Sequence, residues 1–430
     1  MKAVKQWDLL GVGLGPFNLG LAALLDEHPE VQAVFFDAKP AFEWHPGMLI
    51  EGTTLQVPFL ADLVTMVHPR SRFSFLEYLN EQNRLYQFYF YEKFHIPRRE
   101  YNHYCQWTAS QLDSCRFGWK VESVSPKNDQ WWTVHVRSIT SGAVEIHEAR
   151  NIVMGIGTKP VFPPLEGLEN NSSVFHSASF LDKQQECRDA RSITVVGSGQ
   201  SAAEIFETLL NTKSEEQKLN WFTRSRGFFP MEYSKLGLEH FSPDYTNYFY
   251  SLSQETKDRT LEKQDLLYKG ISTETIANIY NALYEKTIGG AALNVHMQPL
   301  CELSKCGPGT LAENRLTFTQ WEKEETFTCD SDIIILATGY KQRIPRFLDD
   351  AESEWQRDTH NRLCINEDYS VQQIRPSSRN MYVQNAEMHT HGPGAPDLGL
   401  GAFRNAAIIN ALTGREVYNL KRKNVFQHFG

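Results

Sequence analysis

Cysteine is sparse in this chain and never closely paired. The seven residues, at 105, 115, 187, 301, 306, 329 and 364, are odd in number and contain no Cys-x-x-Cys. That excludes a disulfide framework, a zinc cluster built on close pairs, and a redox dithiol; no metal site is expected. Free thiols in a reducing, cytoplasmic compartment are the economical reading. Positive charge is also short. Against 52 Asp and Glu stand 43 Lys and Arg, a net charge of −9. Nucleic acid is therefore not the expected partner, because phosphate binding is driven by clustered cations. A local basic pocket for an anionic ligand stays open. The chain has no apolar run long enough for a membrane span. Its best candidate, Leu9–Leu25, is interrupted by Gly11, Gly13, Gly15, Pro16 and Asn18. That stretch reads as a buried strand and turn rather than a signal peptide.

What remains is ordinary globular usage, 41% apolar and 22% charged over 430 residues. One to three domains with a large core are expected. Trp7–Gly11 reads as a short buried strand, and Leu19–Leu25 as an apolar helix. Between them lies Gly11-Val12-Gly13-Leu14-Gly15-Pro16-Phe17-Asn18. Strand, glycine turn and helix make a dinucleotide-binding unit. The first glycine allows the tight turn, the second lets backbone approach a pyrophosphate, and the helix start offers free N–H groups. The next strand, Ala33–Phe36, ends at Asp37, where an acid meets a ribose hydroxyl.

The unit recurs. Ser192–Val196 is a strand, Gly197-Ser198-Gly199-Gln200-Ser201-Ala202-Ala203-Glu204 opens a helix running to Leu210, and Leu219–Thr223 is the next strand. It ends in Arg224-Ser225-Arg226, so an arginine stands where the first unit has Asp37. An acid favours a free ribose hydroxyl, whereas arginine suits a 2′-phosphate. The first site is read as built for FAD and the second for NADPH. Asn151–Lys159 and Asp332–Lys341, the latter containing Thr338-Gly339-Tyr340, are strands ending in glycines and fit as crossings between the two units.

At this point the chain resembles a known family, the flavin-dependent N-hydroxylating monooxygenases of siderophore biosynthesis. The resemblance spans almost the whole length. It rests on the first glycine turn, Trp44-His45-Pro46-Gly47-Met48, Leu55 to Thr65, Pro69 to Leu76, Gly197 to Glu204, Ala337 to Tyr340, His389-Thr390-His391-Gly392 and Pro396 to Arg404. It implies an α/β fold with two Rossmann-like domains, for FAD and NADPH, and a small helical substrate module. The implied FAD domain covers 1–186 and 336–430, the NADPH domain 187–229 and 290–335, and the helical module 230–289. The implied reaction runs through a C4a-hydroperoxyflavin, whose distal oxygen passes to a primary amine. Dioxygen is the co-substrate, and relatives are usually dimers or tetramers. By this resemblance Trp44, His45, Met48 and Gln56 line the flavin, with His45 and Gln56 closest to the chemistry. The backbone of Asp397, Leu398, Gly399 and Leu400 meets it from the other chain end. Asp397 also reads as a helix cap.

The substrate is decided by a departure. Amino-acid hydroxylases of the family carry a lysine where this chain has Ala61, and the ornithine enzymes an asparagine near Leu238. Both reach the substrate carboxylate. A desolvated carboxylate without its cation costs several kcal/mol. The expected substrate is therefore a small diamine, cadaverine or putrescine. Its reacting amine must be neutral, and burial favours that form. Its distal ammonium needs an acceptor, for which Glu239, Glu232 and Asp244 are candidates. Lys269 is a possible neighbour of NADP⁺ or substrate, and the Tyr245–Tyr250 aromatic cluster a possible wall. Asp258–Leu267 and Ser272–Tyr284 read as helices, the second capped by Ser272 with Ile276, Ile279, Tyr280 and Leu283 on one face.

Competing readings are weighed against specific residues, and two of them stay open. A Baeyer–Villiger oxygenase needs Trp-Pro after a histidine, and His176-Ser177 lacks it. An L-lysine N6-hydroxylase requires another cation, Lys269 or Arg72, in place of the lost lysine. A non-catalytic FAD/NADPH-binding sensor shares the fold and is separated only by product formation.

Overall fold

The computed structural model describes residues 4–165, 171–342, 344–421 and 423–430. The chain opens with β1 (Lys5–Val12), α1 (Pro16–Leu25) and β2 (Ala33–Asp37). Proline at the first turn of α1 costs no hydrogen bond there. Eight of the ten α1 residues are buried, because the helix lies between the sheet and the last long helix. The helices α2 (Phe75–Glu81), α3 (Leu85–Tyr91) and α4 (Arg98–Ser110) follow. Ser74 caps α2 by accepting the Glu77 N–H at 3.2 Å. Then come β3 (Cys115–Phe117), β4 (Trp119–Pro126), β5 (Trp132–Ser138) and β6 (Val144–Met154). The sheet order is β3-β2-β1-β6-β5-β4. β1 is parallel to both β2 and β6, with Gly11 opposite Phe35 and Val153. A central parallel strand covered on both faces reads as an unbroken apolar run, which is why its end lacks alternation.

The chain crosses through β7 (Lys159–Pro160) into β8 (Val174–His176), α5 (Gln184–Asp189), β9 (Ser192–Val196), α6 (Gln200–Thr212) and β10 (Lys218–Phe222). A run of helices interrupts here: α7 (Lys235–Leu238), α8 (Pro243–Ser251), α9 (Gln254–Lys263), α10 (Asp265–Tyr268) and α11 (Thr273–Lys286). The second unit resumes with β11 (Val295–Gln298), the hairpin strands β12 (Cys301–Pro308), β13 (Asn314–Gln320) and β14 (Glu325–Ser331), and β15 (Ile333–Leu336). Its parallel sheet runs β11-β10-β9-β15-β8. The return passes through β16 (Tyr340–Lys341), antiparallel to β7. The two expected crossings thus lie side by side. Finally β17 (Asn380–Val383) joins β6, followed by α12 (Met388–His391) and α13 (Gly401–Thr413).

The expected fold class holds, with three corrections. β8 sits at the edge of the second sheet, so the boundary placed at 187 falls one strand late; a three-residue strand carries too little periodicity to be read. The Asp258–Leu267 helix is two, α9 and α10, meeting at Gln264. In α11 Ile279 is buried and Ile276 and Leu283 pack on the second unit's core, but Tyr280 is 69% exposed. The seven cysteines are unpaired, five of them buried. Among the described residues no helix is long and apolar enough to cross a membrane.

Candidate active site

In open α/β sheets ligands sit beyond the carboxyl ends of the strands, and both glycine turns lie there. Gly13 has φ +88°, and a methyl group on it would stand 2.4 Å from the Gly155 carbonyl oxygen. Only glycine is compatible with both. Gly11 lies inside β1, where a methyl would strike the Phe35 ring at 2.0 Å. Gly15 is different: nothing lies within 4 Å of a methyl placed on it. It precedes α1, and no side chain caps that helix. Open space over uncapped N–H groups is what a pyrophosphate requires. Asp37 ends β2 and accepts the N–H groups of Leu14 and Lys39, each at 2.8 Å. Each oxygen keeps a lone pair for a ribose hydroxyl. Asn18 is placed behind the turn. It is fully buried, donates to the Gly13 carbonyl at 2.8 Å and accepts from Gln384 at 2.7 Å. It shapes the turn rather than facing a phosphate.

The second turn repeats the plan. Gly197 has φ +140°, with a methyl there 2.3 Å from the Ala337 carbonyl oxygen, and Gly199 again has open space before an uncapped helix. In each unit the glycine turn abuts its own crossing segment. Ser198 meets Ser225 through their hydroxyls at 2.7 Å. Gln200 is used internally, donating to Glu204 and Thr275 and accepting from the Ser272 N–H. Ser201 lies in the first turn of α6. Among the described residues the Arg224 guanidinium, 79% exposed, pairs only with Glu302, at 3.8 Å, and Arg226 is exposed too. Both are free to take a phosphate.

Between the units, Trp44 packs its ring 5.2 Å from Tyr101. His45, at φ +48°, sits 5.9 Å edge-on to Tyr340. Its side chain is solvent-exposed, yet surrounding protein atoms crowd the ring. Desolvation, with Arg98 and Lys39 nearby, pushes its pKa down to about 4. His45 is therefore neutral at ordinary pH. The Gln56 amide nitrogen is buried with no hydrogen-bond partner among the described residues, and its backbone carbonyl accepts the Tyr233 hydroxyl. An orphaned buried donor is costly unless a ligand meets it, so Gln56 fits a bound polar ring edge. Thr338 donates to the Val161 carbonyl, and the Gly339 carbonyl meets His176 at 3.0 Å. Met48 corrects the expectation. It is 3% exposed and packs with Ile50, Phe175 and Phe180 in the second unit's core. Sequence reading also missed Arg98. Its guanidinium forms a two-pronged pair with Glu204, 2.7 Å at each prong, tying α4 to α6. The Pro-Arg-Arg-Glu run at 97–100 was its only local signal.

Ala61 and the Asp397–Leu400 turn come together at Gly399. Ala61 is 6% exposed. A methyl on Gly399 would lie 3.8 Å from the Ala61 methyl and 2.8 Å from an Asp397 carboxylate oxygen. Asp397 does cap the turn, accepting the Gly399 N–H at 2.7 Å. Burial raises its pKa to about 6, with the Gly399 N–H and Arg404 pulling the other way. Burial and the Asp397 charge push the Tyr233 hydroxyl up to about 12. Arg404 itself is committed: it pairs with fully buried Glu387, donates to the Ala395 carbonyl and stacks 4.3 Å from Phe17. Leu398 packs on the first core, and Leu400 is buried.

The other candidates are placed elsewhere. Leu238 is 39% exposed. Glu239 accepts the N–H groups of Phe426 and Gln427, Asp244 holds Asn424, and Glu232 holds Ser234. Lys269 pairs with Asp265 at 2.8 Å, and Arg72 with Asp26 at 2.8 Å. Neither cation replaces the lysine missing at Ala61, because each is held by an acid on its own part of the surface. A cavity of about 760 Å³ lined by Asp8, Arg150 and Arg415 lies toward the other end of the first sheet. It is not at the glycine turns.

Two glycine turns at the carboxyl ends of parallel strands, with a neutral histidine and an orphaned amide on the stretch of chain between them, fit a two-nucleotide flavoprotein oxidoreductase. The chain belongs to the L-lysine 6-monooxygenase/L-ornithine 5-monooxygenase family, which matches residues 5–342. It is 43% identical to the rhizobactin siderophore biosynthesis protein RhbE of Rhizobium meliloti, covering 99% of this chain and 96% of that one. It is 41% identical to a putrescine N-hydroxylase of Shewanella oneidensis, over 98% of this chain and 84% of that protein. Among solved structures it resembles DfoA bound to FAD, the cadaverine monooxygenase of desferrioxamine biosynthesis in Erwinia amylovora. The TM-score is 0.94 at 37% identity, covering 100% and 99% of the two chains.

Proposed function

We propose that this enzyme uses FAD and NADPH to hydroxylate one amine of a small aliphatic diamine, cadaverine or putrescine, for a hydroxamate siderophore. The observation that carries the substrate is the Ala61–Gly399–Asp397 corner. An uncharged methyl stands where amino-acid hydroxylases place a cation, and a carboxylate lies beside it. That corner repels an α-carboxylate and accepts a second ammonium. Asp397 is the acceptor for the distal ammonium. Two of the relatives named above are a putrescine N-hydroxylase and a cadaverine monooxygenase.

The first unit holds FAD and the second NADPH. Gly15 and Gly199 leave room for phosphates at uncapped helix starts. Asp37 takes a ribose, and Arg224 and Arg226 the 2′-phosphate. The reduced flavin supplies the activation of dioxygen; overall, amine, NADPH, H⁺ and O₂ give hydroxylamine, NADP⁺ and water. The chain's own residues position and exclude. Neutral His45 and the Gln56 amide offer hydrogen bonds without adding a charge to the cleft. Asp397 fixes one end of the diamine, and burial of the other end favours its neutral, reactive form. The seven unpaired cysteines fit a reducing cytoplasm.

A homo-oligomer is supported by the outer face of α3. Tyr86, Tyr89, Phe90 and Phe94 are 80%, 71%, 73% and 57% exposed. With Leu76 and Leu85 they offer on the order of 700 Å², close to one side of a standard interface. The family resemblance implies a dimer or tetramer, so a second copy is the proposed occupant. A Phe90→Glu variant sedimenting like the parent would remove this assignment.

The deciding experiment follows NADPH oxidation with product detection across cadaverine, putrescine, lysine and ornithine. Hydroxylamine is expected from the diamines and little from either amino acid. Equal product from lysine would make this a lysine hydroxylase, and no product from any amine would favour a sensor.

A further inference from the structure

Residues 424–430 are tied to the helical module by two carboxylates. Glu239 accepts the Phe426 and Gln427 N–H groups at 3.0 and 2.9 Å. Asp244 accepts the Asn424 N–H and its side-chain amide, each at 3.0 Å. The Gln427 amide donates to the Leu236 carbonyl at 2.7 Å. Hydrogen bonds to ionised acceptors are the strong ones. Phe429 then seats its ring among His240, Tyr245 and Tyr248, with centroids 5.3, 4.9 and 6.2 Å away.

The helix gripped this way also packs against the turns at 391–394. From α8, Phe249 is fully buried against the Gly392 turn, and Tyr250 sits 5.1 Å from His391. Just before α8, the Phe241 Cα lies 3.9 Å from a methyl placed on Gly394. Those turns lead directly into Asp397. α8 is thus held between Phe429 and the stretch that presents the acid.

We propose that residues 424–430 clamp the helical module onto the 391–400 segment, with Phe429 a positioning residue for amine hydroxylation. Phe429 does not touch the pocket; it fixes how closely the wall shuts. The clamp rests on the proposed amine hydroxylation for its catalytic consequence. When the wall is loose, water enters, and NADPH, H⁺ and O₂ end as NADP⁺ and H₂O₂ instead of hydroxylating the amine.

The test compares Phe429→Ala with Phe429→Tyr. Two readouts are hydroxylamine formed per NADPH consumed at saturating diamine, and amide hydrogen exchange over 236–250. Phe429→Ala should give about tenfold more H₂O₂ per hydroxylamine and faster exchange, since an aromatic anchor is lost. Phe429→Tyr should restore both. Glu239→Gln, which weakens two hydrogen bonds without removing a ring, should shift both in the same direction even if Phe429→Ala fails to fold. Unchanged product yield, or a lower melting temperature with yield and exchange intact, overturns the proposal. If the parent enzyme hydroxylates no amine, the functional reading fails, and the exchange measurement still decides the clamp.

Discussion

The Ala61 methyl and the Asp397 carboxylate converge on Gly399: a single carbon added there would touch both, at 3.8 and 2.8 Å. The two residues lie in opposite halves of the sequence. Gly399 thus lies between an acid and the residue that, by the family resemblance, replaces the lysine of amino-acid hydroxylases.

Ala61→Lys should bring an ammonium against the diamine's own and offer Asp397 an internal partner. The expected loss in kcat/KM for cadaverine or putrescine is at least about tenfold, carried mainly by KM. Steady-state kinetics read it directly. Unaltered diamine kinetics would show that Ala61 does not face the ligand.

Asp397→Asn keeps an oxygen to accept the Gly399 N–H but removes the charge. Diamine KM should rise by roughly tenfold to a hundredfold, the range for losing a hydrogen bond to a charged group. The melting temperature should hold or rise, because a buried charge has gone. A variant with parental KM would place the distal ammonium elsewhere.

The same carboxyl sets a pH dependence. Its folded pKa, about 6, is raised above the ordinary 3.8. The carboxylate needed for the ammonium is present above about 6, so diamine KM should climb as pH falls through that value. For stability the sign is opposite. The folded state holds a proton that the unfolded chain has lost, so the contribution of Asp397 is full below about 4 and fades as pH rises through 6. Asp397→Asn should flatten both profiles. A parental KM-against-pH curve in that variant would assign the transition to another group.

Gly15→Ala separates folding from cofactor binding. The added methyl meets no protein atom within 4 Å, so the apoprotein should melt as before. It should retain FAD at least about tenfold less tightly, because the methyl enters the space over the α1 N–H groups. Gly13→Ala, with positive φ and a 2.4 Å clash, should damage the fold as well. Equal flavin retention in Gly15→Ala and parent would move the pyrophosphate away from this turn.

Arg224→Ser should raise KM for NADPH by on the order of tenfold and leave KM for NADH nearly unchanged, since only NADPH carries the 2′-phosphate. Parallel changes for both would leave Arg224 as an ordinary surface charge.

Both glycine turns, their flanking strands and the acid-or-arginine at the second strand's end were legible in the chain, because each depends on local backbone geometry and short spacing. Ser192–Val196 was read to the residue, and Ser272 caps its helix as its spacing with Thr275 suggested. The edge strand β8 was not, being too short for a pattern. Met48 and Tyr280 were misassigned because an apolar or aromatic side chain does not state which neighbour it meets. Glu239 and Asp244 read as free acids, and tertiary contact with 424–430 occupies them. Arg98 with Glu204, and Asp397 with Ala61, likewise exist only once distant segments pack. A turn is encoded by the residues within it, whereas an ion pair or a substrate corner depends on which surfaces the folded chain brings together.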